Sequence, residues 1–212
     1  MIDILSVIDH SDPRARRREA KRAQILAAAW TLAHRDGLAG ISLRDLASMV
    51  ELRQPSLYAY FDSKHALYDV MFEDGNRALV ERAKALPPNA NARAGVVDFA
   101  RMLLDFCNED GVRYVLMFQR HIPGFEPSPA SYAIAIEFYE IGRQRLAAAG
   151  VTEQADMDLF TTLIAGIADQ QMSNDPGGDR YLGLTDRIVA MFFAEMDKTH
   201  TGMKATKRKA AR

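Results

Sequence analysis

An all-α fold is predicted for this chain of 212 residues, and three observations carry the prediction. Apolar residues recur at helical spacing from the second decade of the sequence to about Lys198. Serine or aspartate stands where helices would begin, with glycine and proline where they would stop. No strand-like alternation is sustained anywhere.

The elements follow in order. Ile25, Ala28, Ala29, Leu32 and Ala33 share a face of a first helix from about Arg16 to Asp36, and Gly37 can end it in the left-handed conformation. Ser42 can cap a second helix, with Asp45 completing a capping box and Leu43, Leu46, Ala47 and Val50 on one apolar face. Glu51 to Arg53 form a short connection to a third helix. Pro55 suits the first turn of that helix, and Leu57 and Phe61 point inward from it. Asp62 or Ser63 can cap a fourth helix running from near Lys64 past Leu67, Met71 and Leu79 towards Ala85, where Pro87 and Pro88 stop it. Further helices are expected over Asn91 to Asn108, Gly111 to Arg120, Ser128 to Ala149, Glu153 to Ser173 and Asp179 to Lys198. The stretch HIPGFEPSP, with its three prolines, cannot be helical throughout.

Charge divides the chain. Residues 13–64 hold ten basic and five acidic side chains, residues 65–203 hold twelve and twenty, and the tail KATKRKAAR adds five basic and no acidic ones. Such asymmetry suits an amino-terminal part that meets a polyanion, although a solvated charged face reads the same way on charge alone. Cys107 is the only cysteine, so no intrachain disulfide can form and a reducing cytoplasm is the natural compartment. The opening MIDILSVIDH is too short to span a bilayer and lacks a basic start, so neither export nor a membrane partner is expected.

Two short helices joined by a turn, the second carrying exposed hydrogen-bonding and aromatic side chains, match the helix-turn-helix whose second helix enters the major groove. On that reading Gln54 and Ser56 reach bases or phosphate, Pro55 opens the reading helix, and Tyr58, Tyr60 and Lys64 grip the backbone. Arg17, Arg18, Ser42, Arg44 and Arg53 are further candidates for DNA contact. Tyr58 and Tyr60 as core aromatics, and Lys64 as an ordinary helix-start lysine, are the duller alternatives.

The run from about Arg16 to Leu79, with ISLRDLASMV followed by LYAYFDSKHAL, resembles the DNA-binding domain of the TetR family of transcriptional regulators. The resemblance implies a helix-turn-helix DNA-binding domain at 14–64 and a helical ligand-binding and dimerisation domain at 65–200, joined through the fourth helix. Residues 1–13 and 201–212 are expected to be disordered tails. Glu51 departs from the glycine most family members carry in the turn.

Phe160, Leu163, Ile164, Ile167 and Gln171 line one stripe near the carboxy terminus, and Leu184, Ile188, Met191 and Phe192 another. The resemblance makes them a homodimer interface; burial within one chain is the alternative. Gly166 would permit close backbone approach. Phe99, Met102, Phe106, Tyr114, Met117, Phe118, His121, Tyr132, Phe138 and Tyr139 are what an adaptable effector pocket is made of, and equally what a helical core is made of.

Other chemistry has little support. The histidines are scattered without metal-ligand spacing, Cys107 lies in an apolar helix, and no glycine loop could cradle a phosphate. No metal, cofactor or catalytic residue is expected, and the chain is read as no enzyme. The function expected is a homodimeric repressor of a palindromic DNA operator, released by a small apolar or aromatic effector. An effector-independent DNA binder or activator, and a helical small-molecule carrier or enzyme using the same fold, remain the alternatives.

Overall fold

A computed structural model describes residues 12–119 and 121–210, with side chains through residue 198. The helices are α1 (Pro13–Gly40), α2 (Leu43–Met49), α3 (Gln54–Leu57), α4 (Lys64–Ala85), α5 (Ala92–Glu109), α6 (Gly111–Phe118), α7 (Pro129–Ala148), α8 (Gln154–Asn174) and α9 (Thr185–Ala210). No strand occurs among the described residues, and no helix among them is long and apolar enough to cross a membrane. The chain forms two compact units, one holding the residues up to Phe72 together with the segment ending at Ser128, the other holding Glu73–Gln119 and the chain from Pro129.

In the first unit, Asp12 accepts a hydrogen bond from the Arg14 amide and Pro13 opens α1. The expected face of α1 is buried at Ile25, Ala28, Ala29, Leu32 and Ala33. Gly37 breaks the helix at φ 76°. The Ser42 hydroxyl caps α2 by accepting from the Asp45 amide at 3.3 Å. Leu46, Val50, Leu57, Phe61, Leu67, Tyr68 and Met71 complete the unit's core. Between α2 and α3, the Leu52 amide donates to Ala47 O at 2.8 Å, a Schellman closure that puts Glu51 at φ 57°. Glu51 is the one non-glycine residue with positive φ among the described residues, in a conformation costing an L side chain roughly 1–2 kcal/mol.

Two long-range bonds hold α3 and its turn on α1: Lys21 Nζ donates to Val50 O at 3.0 Å and the Arg18 guanidinium to Ala59 O at 3.1 Å. The start of α4 is tied similarly, with the Tyr68 hydroxyl donating to Leu38 O at 2.6 Å. The proline-rich segment before α7 is a strap on this helix. Phe125 meets the rings of Tyr68 and His65 edge-on at 5.8 and 6.1 Å, and the Ser128 amide donates to Asp69 Oδ1 at 2.7 Å.

In the second unit α5 is central. Leu104 and Cys107 join Leu146, Met157, Phe160, Ile164, Ile167, Val189, Phe192 and Phe193 in one apolar core. Leu79, Ala83, Phe99, Met102 and Phe106 form a second cluster. At Gly142 a Cβ would stand 3.0 Å from the Phe99 ring, so glycine is what lets α7 approach α5. Arg93 pairs with Asp197 and Arg101 with Asp186, both across α5 and α9.

Three expectations change here. The last helix begins at Thr185 rather than Asp179, after a 3-10 turn at Leu182–Leu184. Gln171 causes this, because its Oε1 accepts from the Tyr181 and Leu182 amides at 2.9 and 3.3 Å while its Nε2 donates to Asp175 O, folding the intervening loop around one buried amide. At the other end α9 continues to Ala210, so residues 201–210 are helical where a disordered tail is expected; the Lys, Arg and Ala composition favours helix, and cations suit a helix C-terminus. Of the tails expected at 1–13 and 201–212, residues 1–11 and 211–212 lie outside the described residues, and residues 12–13 cap and open α1. Thirdly, Gly166 is exposed with open space around it, and no close approach occurs there within the chain.

Candidate nucleic-acid interface

The connection 51–53 and α3 present polar side chains that the fold does not consume. Arg53, Gln54, Pro55 and Ser56 are exposed, as is Tyr58 at 47%. Leu57 and Phe61, at 2% and 6%, anchor the same turn in the core. Alternation of anchored and free positions over eight residues fixes which face looks outward. Tyr60 is half-buried.

The remaining candidates divide by what they already touch. Arg17 and Arg44 are exposed, and their side chains make no hydrogen bond among the described residues. Arg18 is exposed, with its guanidinium on Ala59 O. Ser42 spends its hydroxyl as the cap of α2. Lys64 is half-buried: Nζ donates to Ala39 O at 3.0 Å and lies 5.6 Å from the Tyr68 ring centroid, and burial lowers its pKa. It is thus first a clamp between α4 and the last residues of α1, beyond the Gly37 break, with any DNA contact left to its remaining protons. The geometry offers a polyanion a short helix with a polar outer face, flanked by the cations of α1 and α2.

Residues 25–71, which contain α2, α3 and the start of α4, match the model of the bacterial regulatory proteins of the tetR family. The amino-terminal domain is thereby a TetR-family DNA-binding domain, and the chain a DNA-binding transcriptional regulator. No curated protein matches the chain. Among solved structures, a tetR-family transcriptional regulator from Streptomyces coelicolor superposes with a TM-score of 0.67 at 22% identity, over 90% of this chain and 88% of that one. The TetR-family regulator PfmR from Thermus thermophilus gives 0.60 at 21% identity, over 79% and 97%. The transcriptional regulator FadR from Bacillus subtilis, in complex with stearoyl-CoA, gives 0.64 at 14% identity, over 80% and 96%. At such identities these likenesses establish the fold, both units included.

Within the TetR-like body, the pocket and dimer candidates are only partly brought together. Phe99, Met102 and Phe106 are buried in one cluster, with Met117 and Phe138 packed against it and the Phe99 and Phe138 rings stacked at 5.3 Å. Tyr114 belongs to the other core, against Phe118 at 5.8 Å between centroids. Phe118, His121, Tyr132 and Tyr139 are exposed. Helical periodicity gave no way to tell these outward aromatics from inward ones, because α7 is apolar on more than one side. A cleft of about 430 Å3 does open between α4, α5 and α6, lined by Ala78, Glu81, Arg82, Phe106, Glu109 and Arg113 among others. Of the ten candidates it takes Phe106 alone.

The dimer stripe also divides. Phe160, Ile164, Ile167, Gln171 and Phe192 are buried within the single chain, all but Gln171 in the core around α5. Leu163 and Ile188 are half-buried, and Leu184 and Met191 are 40% and 61% exposed. The outward face of α8 lies one step around the helix, at Leu159, Leu163 and Gly166, and that of α9 at Ile188, Met191 and Ala194. Leu159, 42% exposed, was legible as apolar but not as the outward member of its turn.

Proposed function

We propose that the chain represses transcription as a homodimer whose two α3 helices read the halves of a palindromic operator, and that a small apolar or aromatic effector releases it. The observation that carries this reading is α3 itself, held by Leu57 and Phe61 with Gln54, Ser56 and Tyr58 left free outside. A second copy fits the face of Leu159, Leu163, Gly166, Ile188 and Met191, where apolar and small residues stand in water in the single chain. Two reading heads then address successive major grooves, about 34 Å apart. The effector acts by population shift, preferring a state in which the heads no longer match that spacing. An effector class containing an acyl or aromatic group agrees with the apolar cluster around Phe99 and Phe138, and the similar FadR structure holds stearoyl-CoA. Entry would require the Phe99 and Phe138 rings to part.

The test uses Gln54→Ala and Tyr58→Ala together, since both side chains are exposed and their loss leaves the core intact. Lys64 is unsuitable because its ammonium braces the fold. Duplexes enriched by the wild-type chain from a random pool should lose at least tenfold in affinity for the double variant, two lost contacts of about 1 kcal/mol each sufficing. Unchanged affinity, with an unchanged melting temperature, contradicts the reading.

A further inference from the structure

We propose that Arg53 reads a guanine edge in each operator half and so sets the sequence preference of the chain, an inference that rests on the DNA-reading function above. Arg53 occupies the N-cap position of α3, with φ −81° and ψ 144°. Serine, threonine, aspartate or asparagine would cap the helix there, whereas the Arg53 side chain makes no capping bond. The guanidinium is exposed and has no hydrogen bond or ion pair among the described residues. It does nothing for the fold.

Most other cations of this unit are committed. Arg18 holds Ala59 O, Lys21 holds Gln24 and Val50 O, Arg22 lies over the Phe61 ring, Arg35 pairs with Asp36 and Lys64 holds Ala39 O. Arg44 and, apart from Arg18, the arginines opening α1 have side chains without a hydrogen bond or ion pair among the described residues, but they stand on elements that a helix-turn-helix directs at the backbone; base edges are met by the N-terminal residues of the reading helix. Arg53 is the free guanidinium at that place. Its fork matches the O6 and N7 acceptors of guanine, which no other base pair presents together.

The connection carries a second local violation in the same three residues. Glu51 takes φ 57° where glycine would be unstrained, and its exposed carboxylate makes no contact with Arg53 or any other described residue. Two locally disfavoured residues without an offsetting contact inside the chain mark a segment shaped for something outside it.

The test compares the full-length wild-type chain with Arg53→Ser, which supplies the missing capping hydroxyl and should melt at or above the wild-type temperature. Wild type is expected to enrich, from a pool of random duplexes, sequences with a guanine at one symmetric position of each half. Replacing that guanine should weaken wild type roughly tenfold or more and leave Arg53→Ser unaffected. The proposal is overturned if Arg53→Ser keeps the guanine preference. It is equally overturned if the variant loses affinity uniformly across sequences, with a salt slope lower by about 1, the signature of a phosphate contact. Failure of wild type to enrich any sequence would remove the operator reading as well, and is distinguishable from both.

Discussion

Gln171→Met is the perturbation whose cost the structure determines most closely. The Gln171 side chain, 1% exposed, is the sole acceptor among the described residues for the Tyr181 and Leu182 amides, at 2.9 and 3.3 Å, and it also donates to Asp175 O. Methionine is similar in length, so little packing is lost. The Asp175 carbonyl keeps the Gly178 amide at 3.0 Å. The penalty is therefore two amides without an acceptor, at about 1–3 kcal/mol apiece, and because Tyr181 and Leu182 are only half-buried the lower end applies, giving about 2 kcal/mol together. A chain of this length should melt about 4–8 °C lower. Urea unfolding should show a reduced midpoint with an unchanged slope. The reasoning is refuted if the midpoint stays put while self-association weakens, since Gln171 would then serve a partner rather than the α8–α9 loop.

Met191→Glu should do the converse, raising the dimer dissociation constant at least tenfold in sedimentation equilibrium while each chain keeps its helicity, because it buries an unpaired carboxylate only when a second copy docks. Cys107, whose thiol burial pushes up to about 12, should resist a thiol-specific disulfide reagent at pH 8 until guanidinium unfolds the chain. The Asp175 carboxylate is held below the usual aspartate range by the Arg180 amide first and the Gln171 side chain second. A lowered folded-state pKa gives stability that is complete above the unfolded-state value and lost as pH falls through the folded one. Wild type should thus lose more of its urea midpoint than Asp175→Asn on acidification from neutrality to below the carboxylate range, and equal losses would count against this role.

What the sequence revealed depended on whether one neighbour in the chain decided the outcome. Ser42, Gly37 and Pro55 act on residues within a turn of themselves, so the break near the end of α1, the start of α2 and the first turn of α3 were readable, whereas α1 begins at Pro13 behind its Asp12 cap rather than near Arg16. Leu57 and Phe61 were readable as core because Gln54, Ser56 and Tyr58 between and before them are polar or amphipathic. The body was less legible for a physical reason. α7 and α8 are apolar on several sides, and which side is covered depends on α5 and α9, far away in sequence. Ile164 and Leu159 are equally apolar, yet one is core and the other stands 42% exposed. Lys64 shows the same limit in the DNA-binding unit, since only folding brings Ala39 O within 3.0 Å of its ammonium. Phe125 shows it too: nothing local signals that a residue of the proline-rich strap will pack on Tyr68 and His65.

Photochemical cross-linking locates the DNA most directly. The full-length chain would be irradiated on an enriched duplex carrying bromouracil in place of thymine, and the linked peptide identified by mass spectrometry. Adducts are predicted within the peptide spanning residues 53–60, Tyr58 foremost. Adducts confined to the basic tail at 204–212, with none on α3, would contradict the claim that this helix faces the bases.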